Sequence, residues 1–169
     1  MTRTSAIAAT IIAVLALCLP ATAYGQKLVF VVRHAERADR GMMKIDTDPG
    51  LSTAGQARAA KLAAILADSG IKAIYATEFR RTQDTAGPLA ARLGLPVQRY
   101  SSKDSGALVA ALRKEHAGDI VFVVGHSNTV PEIIKALCGA GVTIAETEYD
   151  NLFIVVPTTG TMTRIRFTP

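Results

Sequence analysis

The residues of this chain best suited to chemistry stand directly after two runs of apolar residues. The run 28–32 is followed by Arg33 and His34, and the run 120–124 is followed by a glycine and His126. A guanidinium offers a planar fork of donors that matches phosphoryl oxygens, and a neutral histidine nitrogen can attack phosphorus. The pairing of arginine with histidine therefore indicates a site for an oxyanion.

The elements that must position these residues are buried strands. Apolar runs rich in β-branched residues are typical of such strands, and the carboxyl ends of strands form the edge where open α/β sheets hold ligands. Strand and helix patterns alternate along the chain, which predicts an α/β domain, a three-layer αβα sandwich with a mostly parallel central sheet and an antiparallel edge hairpin. The predicted strands are 28–32, 73–76, 120–124, 151–156 and 162–167, and the predicted helices are 52–68, 80–93, 105–116 and 130–138.

The N-terminal residues differ in kind from the rest. Arg3 precedes an apolar stretch and an Ala-x-Ala end at Ala23, which predicts a secretory signal peptide over residues 1–23, with cleavage after Gly25 as the second choice. The alternative is an uncleaved membrane anchor, but the apolar stretch is short for a span of about 20 residues. Residues 24–169 then form one domain that is periplasmic or secreted, without stable membrane insertion.

Charge and composition restrict the partners. The formal net charge is +5, the basic residues are scattered, and aromatic residues make up 5% of the chain. A modest positive excess favours anionic substrates or cell-envelope surfaces and does not indicate nucleic acid. Cys138, the one cysteine after cleavage, lies in an apolar stretch and is expected to be a buried small hydrophobe.

A metal centre and a cofactor are not expected. A metal site normally needs three or four ligands, and only His116 remains as a third histidine. His116 ends a predicted helix, where a solvated histidine is the ordinary interpretation.

A second pair of arginines, Arg80 and Arg81, begins the predicted helix 80–93. Helix N-termini bind anions but are unfavourable places for arginine, so the pair suggests a reason other than helix stability. A plain surface pair is the alternative. The loop 38–50 beside the first histidine either touches substrate or is a solvated connection.

Four motifs in this order resemble the histidine phosphatase superfamily, also called phosphoglycerate-mutase-like. They are Arg33-His34-Ala35-Glu36, Leu51-Ser52-Thr53-Ala54-Gly55, Thr77 with Arg81 and Thr85-Ala86, and Gly125-His126-Ser127. The resemblance covers nearly all of the chain after the signal peptide. It implies His34 as the nucleophile that becomes phosphohistidine, with Arg33, Arg81 and His126 around the phosphoryl group.

The resemblance also suggests supporting residues. Glu36 would fix the ring orientation of His34, and Ser127 and Asn128 would offer donors to the oxyanion or simply cap a helix. Many relatives have Ser-Pro where this chain has Thr77-Glu78, a change that keeps the hydroxyl.

The proton donor departs from the family pattern. Mutase-like relatives commonly have a glutamate after the second motif, whereas residues 97–107 here contain a single acid, Asp104. Asp104 is the candidate general acid, with a helix N-cap as its alternative role. Glu148 and Asp150 are the reserve candidates.

The sequence thus predicts an exported, metal-independent phosphatase that hydrolyses phosphomonoesters through phosphohistidine on His34, working below neutral pH. Its partner would be a small phosphorylated substrate, with an envelope phosphosugar suggested by analogy. The alternatives are a non-catalytic phosphate-binding module, a phosphohistidine-protein phosphatase or a mutase of the same fold, and an α/β domain whose histidines are structural.

Overall fold

The computed structural model describes residues 26–39 and 48–169. The expected signal peptide and most of the loop 38–50 lie outside the described residues. The strands are β1 (Leu28–Arg33), β2 (Ala73–Thr77), β3 (Val97–Tyr100), β4 (Ile120–Gly125), β5 (Asn151–Val156) and β6 (Thr161–Arg166). The helices are α1 (Thr53–Ile65), α2 (Arg80–Leu93), α3 (Ser105–Glu115) and α4 (Thr129–Cys138).

The strands form one six-stranded sheet in the order β3-β2-β4-β1-β5-β6. The first four strands of this order run parallel, and β5 and β6 are antiparallel additions at the β1 side. The predicted mostly parallel sheet with an antiparallel edge hairpin is confirmed.

The sheet is buried on both faces because its central strands β1 and β4 are apolar up to their last residues, Arg33 and Gly125. Val29 and Val31 of β1 pack into the core on one face, and Phe30 and Val32 pack into the core on the other. Helices α3 and α4 supply the first core, and α1 and α2 supply the second. Successive strand residues point to opposite faces, so the continuous apolar run produces the three layers.

Strand β3 is the element that the sequence patterns missed. Its residues Val97, Gln98 and Arg99 are partly or fully exposed, and only Tyr100 is buried. It pairs with β2 alone, at the edge of the sheet. A short strand with polar residues at its centre lacks the apolar run that identifies β1 and β4.

No helix in the described ranges 26–39 and 48–169 is long and apolar enough to cross a membrane.

Candidate active site

The two histidines after the apolar strands lie side by side. Strands β1 and β4 are neighbours with Arg33 opposite Gly125, and the backbone N–H of His34 donates to the carbonyl of Gly125 at 2.9 Å. The rings of His34 and His126 are 5.3 Å apart between centroids, and both residues are buried. The sheet register therefore builds one site from both strand ends.

The ring of His34 is oriented by the backbone. Its Nδ1 lies 2.8 Å from the carbonyl oxygen of Ala35, and this contact requires a proton on Nδ1. Burial, assisted by the nearby positive charges of Arg81 and Arg33, lowers the pKa of His34 to about 3. The ring is therefore neutral near pH 7, and the lone pair is on Nε2.

His126 has the opposite arrangement of its ring protons. An NH2 group of Arg81 lies 3.4 Å from Nδ1, which must then accept, and Nε2 lies 2.9 Å from the hydroxyl of Thr77, to which it donates. Burial and the charge of Arg81 lower the pKa of His126 to about 4. Thr77, which keeps a hydroxyl where many relatives have serine, thus fixes the tautomer of His126.

Arg81 is the arginine of α2 that reaches the site. Its guanidinium lies 4.4 Å from the ring centre of Phe79 and 3.9 Å from Asp48. Arg80 instead points outward and pairs with Asp84 at 3.6 Å. The buried Nε of Arg81 has no hydrogen-bond partner within the described part of the chain.

Arg33 is clamped by the segment that precedes β5. One NH group donates to the carbonyls of Ala145 and Glu148 at 2.9 and 3.2 Å, and the other donates to the carboxylate of Glu146 at 2.7 Å. The ring of Tyr149 lies 4.4 Å from the guanidinium carbon. The buried Nε of Arg33 also finds no acceptor within residues 26–39 and 48–169. Each arginine of the site therefore has one buried donor that no group of the described residues satisfies.

Sequence patterns did not identify Glu146, Tyr149 and Phe79 as site residues. The antiparallel direction of β5 explains the first two, because Leu152 near its start pairs with Val32 near the end of β1. The segment before β5 must then arrive where the histidines lie. The prediction of an antiparallel hairpin contained this signal.

The hydrogen bond at Nδ1 of His34 is accepted by the carbonyl of Ala35, and the expected influence of Glu36 on the orientation of that ring stays a prediction. The Glu36 carboxylate is held by Arg58 of α1 through bonds of 2.7 to 3.0 Å. Arg58 also donates to the carbonyl of Phe167. The pair therefore fixes the backbone after β1 against α1 and the C-terminal segment.

The residues after His126 divide between two roles. The Ser127 hydroxyl donates to the carboxylate of Glu146 at 2.5 Å. Asn128 is exposed at the N-cap position of α4 but makes no side-chain capping bond, whereas the Thr129 hydroxyl accepts from the backbone N–H of His126 at 2.8 Å. These contacts do not test whether Ser127 or Asn128 binds phosphate, so that role stays a prediction.

The three acids considered as proton donors are occupied elsewhere. Asp104 is exposed and caps α3, accepting from the N–H of Ala107 at 2.8 Å. Glu148 and Asp150 bind Arg166, and hydrogen bonding from that arginine lowers the pKa of Glu148 to about 2. The role of Asp104 in proton transfer stays a prediction.

The described ends of the loop 38–50 approach the site. Asp39 is bound by Arg37 through two bonds of 2.6 and 2.9 Å, which lower the pKa of its carboxyl. Asp48 accepts from the backbone N–H of Arg80 at 2.9 Å and faces Arg81. Both ends thus contribute charge beside α2.

The sequence predicts a solvated His116, whereas the structure shows this residue half-buried. Its Nε2 lies 2.9 Å from the hydroxyl of Tyr75, and its Nδ1 lies 3.1 Å from Asp119. Within the described ranges, no cluster of three or more His, Cys, Asp or Glu residues is arranged to hold a metal ion.

Comparisons with known proteins agree with this arrangement. Residues 29–102 match the model of the histidine phosphatase superfamily (branch 1). An uncharacterized protein of Mycobacterium tuberculosis is 43% identical over 72 residues, which are 41% of this chain, so the match spans only 36% of that relative's length.

Solved structures show the same fold. The protein histidine phosphatase SixA, solved with tungstate, is 20% identical with a TM-score of 0.61, and the match covers 82% of this chain and 94% of SixA. A mycobacterial glucosyl-3-phosphoglycerate phosphatase solved with VO3 is 16% identical with a TM-score of 0.63, over 85% of this chain and 98% of that one. Arg33, His34 and Arg81 lie inside the segment that matches the family model, and His126 lies beside them, so the chain is similar to the histidine phosphatase superfamily in this segment and in its fold.

Proposed function

We propose that the protein is an exported, metal-independent phosphatase that hydrolyses phosphomonoesters through a phosphohistidine formed on His34. The observation that carries this proposal is the pair of buried, neutral histidine rings flanked by Arg33 and Arg81. The hydrogen bond from Nδ1 of His34 to Ala35 leaves Nε2 as the nucleophilic atom.

The two arginines supply the charge that such a reaction needs. A phosphoryl group in transfer spreads negative charge over its equatorial oxygens, and fixed cations stabilise it there. Each guanidinium has a buried Nε–H without an acceptor in the described residues, and a phosphoryl oxygen would provide one. His126 supports the pocket by accepting from Arg81 and by lying against His34.

The proposal of metal independence rests on the chemistry of the ligand set. His34 uses one ring nitrogen and His126 uses both in hydrogen bonds to the protein, and His116 binds Tyr75 and Asp119 instead. Two arginines already supply positive charge to the pocket, where a metal would otherwise supply it.

The substrate class and the compartment are further parts of the proposal. The signal-peptide pattern of residues 1–23 supports export. Similar structures include one named a protein histidine phosphatase and one named a glucosyl-3-phosphoglycerate phosphatase, so a small phosphorylated substrate is the starting point, with an envelope phosphosugar as one candidate.

The test is hydrolysis of p-nitrophenyl phosphate by the purified full-length chain with and without EDTA, beside His34→Ala. His116→Ala is the matched control, because it removes a histidine outside the site. We expect turnover that survives chelation, persists in the control and disappears in His34→Ala, with a phosphoenzyme trapped by rapid quench only when His34 is present.

Two other outcomes would contradict the proposal. Loss of turnover with EDTA would contradict metal independence. Binding of inorganic phosphate without any turnover would support the alternative of a non-catalytic phosphate-binding module.

A further inference from the structure

We propose that Glu146 is the catalytic proton donor, delivering its proton to the leaving oxygen of the phosphomonoester. The inference rests on the proposed function of the same site. It assigns the acid to the segment before β5, away from the helix cap at Asp104.

The position of the Glu146 carboxylate is set by two groups of the site. One oxygen accepts from the Arg33 guanidinium at 2.7 Å, and the other accepts from the Ser127 hydroxyl at 2.5 Å. Arg33 directly precedes His34, and Ser127 directly follows His126. The carboxylate therefore bridges the ends of the two strands that present the histidines.

Exposure places this carboxylate on the open side of the pocket. The Glu146 side chain is 76% exposed, whereas the Arg33 side chain that it contacts is 4% exposed. A phosphoryl group held by Arg33 would be a neighbour of the Glu146 carboxyl, because both would be acceptors of one guanidinium. The leaving group of a substrate held there would extend toward solvent, to which the Glu146 side chain is also exposed.

Electrostatics couples substrate binding to protonation of this group. A phosphoryl dianion that enters beside Arg33 brings negative charge next to the carboxylate, and repulsion between like charges favours uptake of a proton there. Sharing Arg33 with the phosphoryl oxygens also weakens the ion pair. Glu146 thus gains its proton when a substrate is present to receive it.

Three other acids near the site are held by groups that are not proposed to bind phosphate. Both oxygens of Glu78 accept from Ser102, and Asp39 makes two bonds to Arg37. Glu36 is held by Arg58 through three bonds. Glu146 differs from these acids because its anchor, Arg33, is itself a proposed ligand of the phosphoryl group.

The step balances as follows. The P–N bond to Nε2 of His34 forms while the P–O bond to the leaving group breaks, and the Glu146 proton moves to the leaving oxygen, so a neutral alcohol departs. In the second step water attacks phosphorus, the P–N bond breaks, and a proton from water returns to Glu146. Inorganic phosphate is released and His34 is again neutral.

The test compares kcat/KM for p-nitrophenyl phosphate and glycerol 2-phosphate in the full-length wild type and three variants. Glu146→Gln removes the transferable proton but keeps the side-chain shape. Asp104→Asn tests the rival acid, and Glu115→Gln is the control, an exposed glutamate at the end of α3. The value of kcat/KM reports the steps up to release of the leaving group. Loss of a proton donor should lower it most where the leaving group is poor.

We expect Glu146→Gln to lose about 100-fold on glycerol 2-phosphate and less than about 3-fold on p-nitrophenyl phosphate, with the other two variants close to wild type. We also expect kcat/KM of the wild type for glycerol 2-phosphate to fall at alkaline pH, where the proton donor is ionised. This fall should be absent in Glu146→Gln. If Glu146 had only a structural role, Glu146→Gln would instead lower kcat/KM equally for both substrates and leave the pH profile unchanged.

Other results overturn the inference. The inference is wrong if Glu146→Gln lowers kcat/KM equally for both substrates, leaves it unchanged, or raises it for both. A rise would show that the carboxylate only competes with phosphate for Arg33. Selective loss in Asp104→Asn would assign the acid to Asp104. If the wild type hydrolyses neither substrate, or if its activity survives His34→Ala, the proposed function itself fails and the inference falls with it.

Discussion

The hydroxyl of Thr77 lies 2.9 Å from Nε2 of His126 and 2.8 Å from the hydroxyl of Thr82. Thr82 in turn lies within bonding distance of the carbonyls of Thr77 and Phe79. The tautomer of the second histidine is therefore fixed by a short chain of hydroxyl groups that ends on the backbone.

This relationship predicts the effect of removing one hydroxyl. Thr77→Val keeps the buried shape but leaves the Nε2 proton of His126 without an acceptor, at a cost of about 1 to 3 kcal/mol. We expect kcat/KM for p-nitrophenyl phosphate to fall about 10-fold or more, measured by steady-state kinetics. Thr77→Ser, which retains the hydroxyl, is the matched control and should stay near wild type; equal losses in the two variants would contradict this role.

The two buried histidines predict an acid-sensitive fold. Their folded-state pKa values of about 3 for His34 and about 4 for His126 lie below the ordinary histidine value of 6.5, so the unfolded chain takes up protons first. The free energy of unfolding should be greatest above about pH 6.5 and fall on acidification toward pH 4, by up to about 1.4 kcal/mol per pH unit for each histidine.

Urea unfolding measured at several pH values checks this slope. His34→Asn should flatten it by about half, because one of the two depressed groups is gone. A slope that is the same in wild type and His34→Asn would show that other groups control the acid response.

A pair of glycine substitutions tests the packing at the end of β4. A Cβ at Gly125 would lie 2.6 Å from the Thr129 hydroxyl and 3.0 Å from the Tyr100 hydroxyl, so Gly125→Ala should lower the free energy of unfolding by about 1 to 3 kcal/mol. At Gly87, inside α2, a Cβ would meet nothing within 4 Å. Pro88 follows Gly87, and a proline ring disfavours the helical conformation of a preceding residue that has a Cβ, so the helix-propensity gain of Gly87→Ala should be offset and the free energy of unfolding should change by less than about 0.5 kcal/mol. Equal denaturation midpoints for the two variants would contradict this packing.

The structural role of Asp104 predicts a difference between two substitutions. Asp104→Ala removes the acceptor for the N–H of Ala107 and should cost about 1 kcal/mol of stability. Asp104→Asn keeps a good N-cap and should cost much less. Thermal unfolding of both variants measures the difference, and an unstable Asp104→Asn would indicate a role for the charge itself.

The sequence was most informative where one physical rule dominates. The apolar runs that became β1 and β4, and the caps and periodicity of the helices, predicted the central sheet and its covering layers. The edge strand β3 was not predicted because it pairs with β2 alone and keeps three of its four residues partly or fully exposed, so it does not require a continuous apolar run. Its existence depends on its partner strand and leaves a weak local pattern.

The polar residues of the site that follow the strands could be predicted from the sequence. The residues that surround them were harder to predict. Arg33, His34 and His126 follow directly from the strands, and the structure brings them together with Arg81. Glu146 and Tyr149 come from an irregular segment with no periodicity, and tertiary pairing of β5 with β1 brings them in. Glu36 could not be assigned from its nearness to His34, because its partner Arg58 lies on a helix 22 residues away.

The outer edge of the sheet has its own consequence for behaviour in solution. Strand β6 is an open edge whose Arg164 and Arg166 are paired with Glu148 and Asp150. Charged side chains on an edge strand oppose the addition of another strand, and so oppose self-association. Because Arg166 lowers the pKa of Glu148 to about 2, Glu148 stays ionised in mild acid, where the buried histidines weaken the fold. Acid would therefore loosen the end of the molecule that carries the two histidines while the edge still resists aggregation.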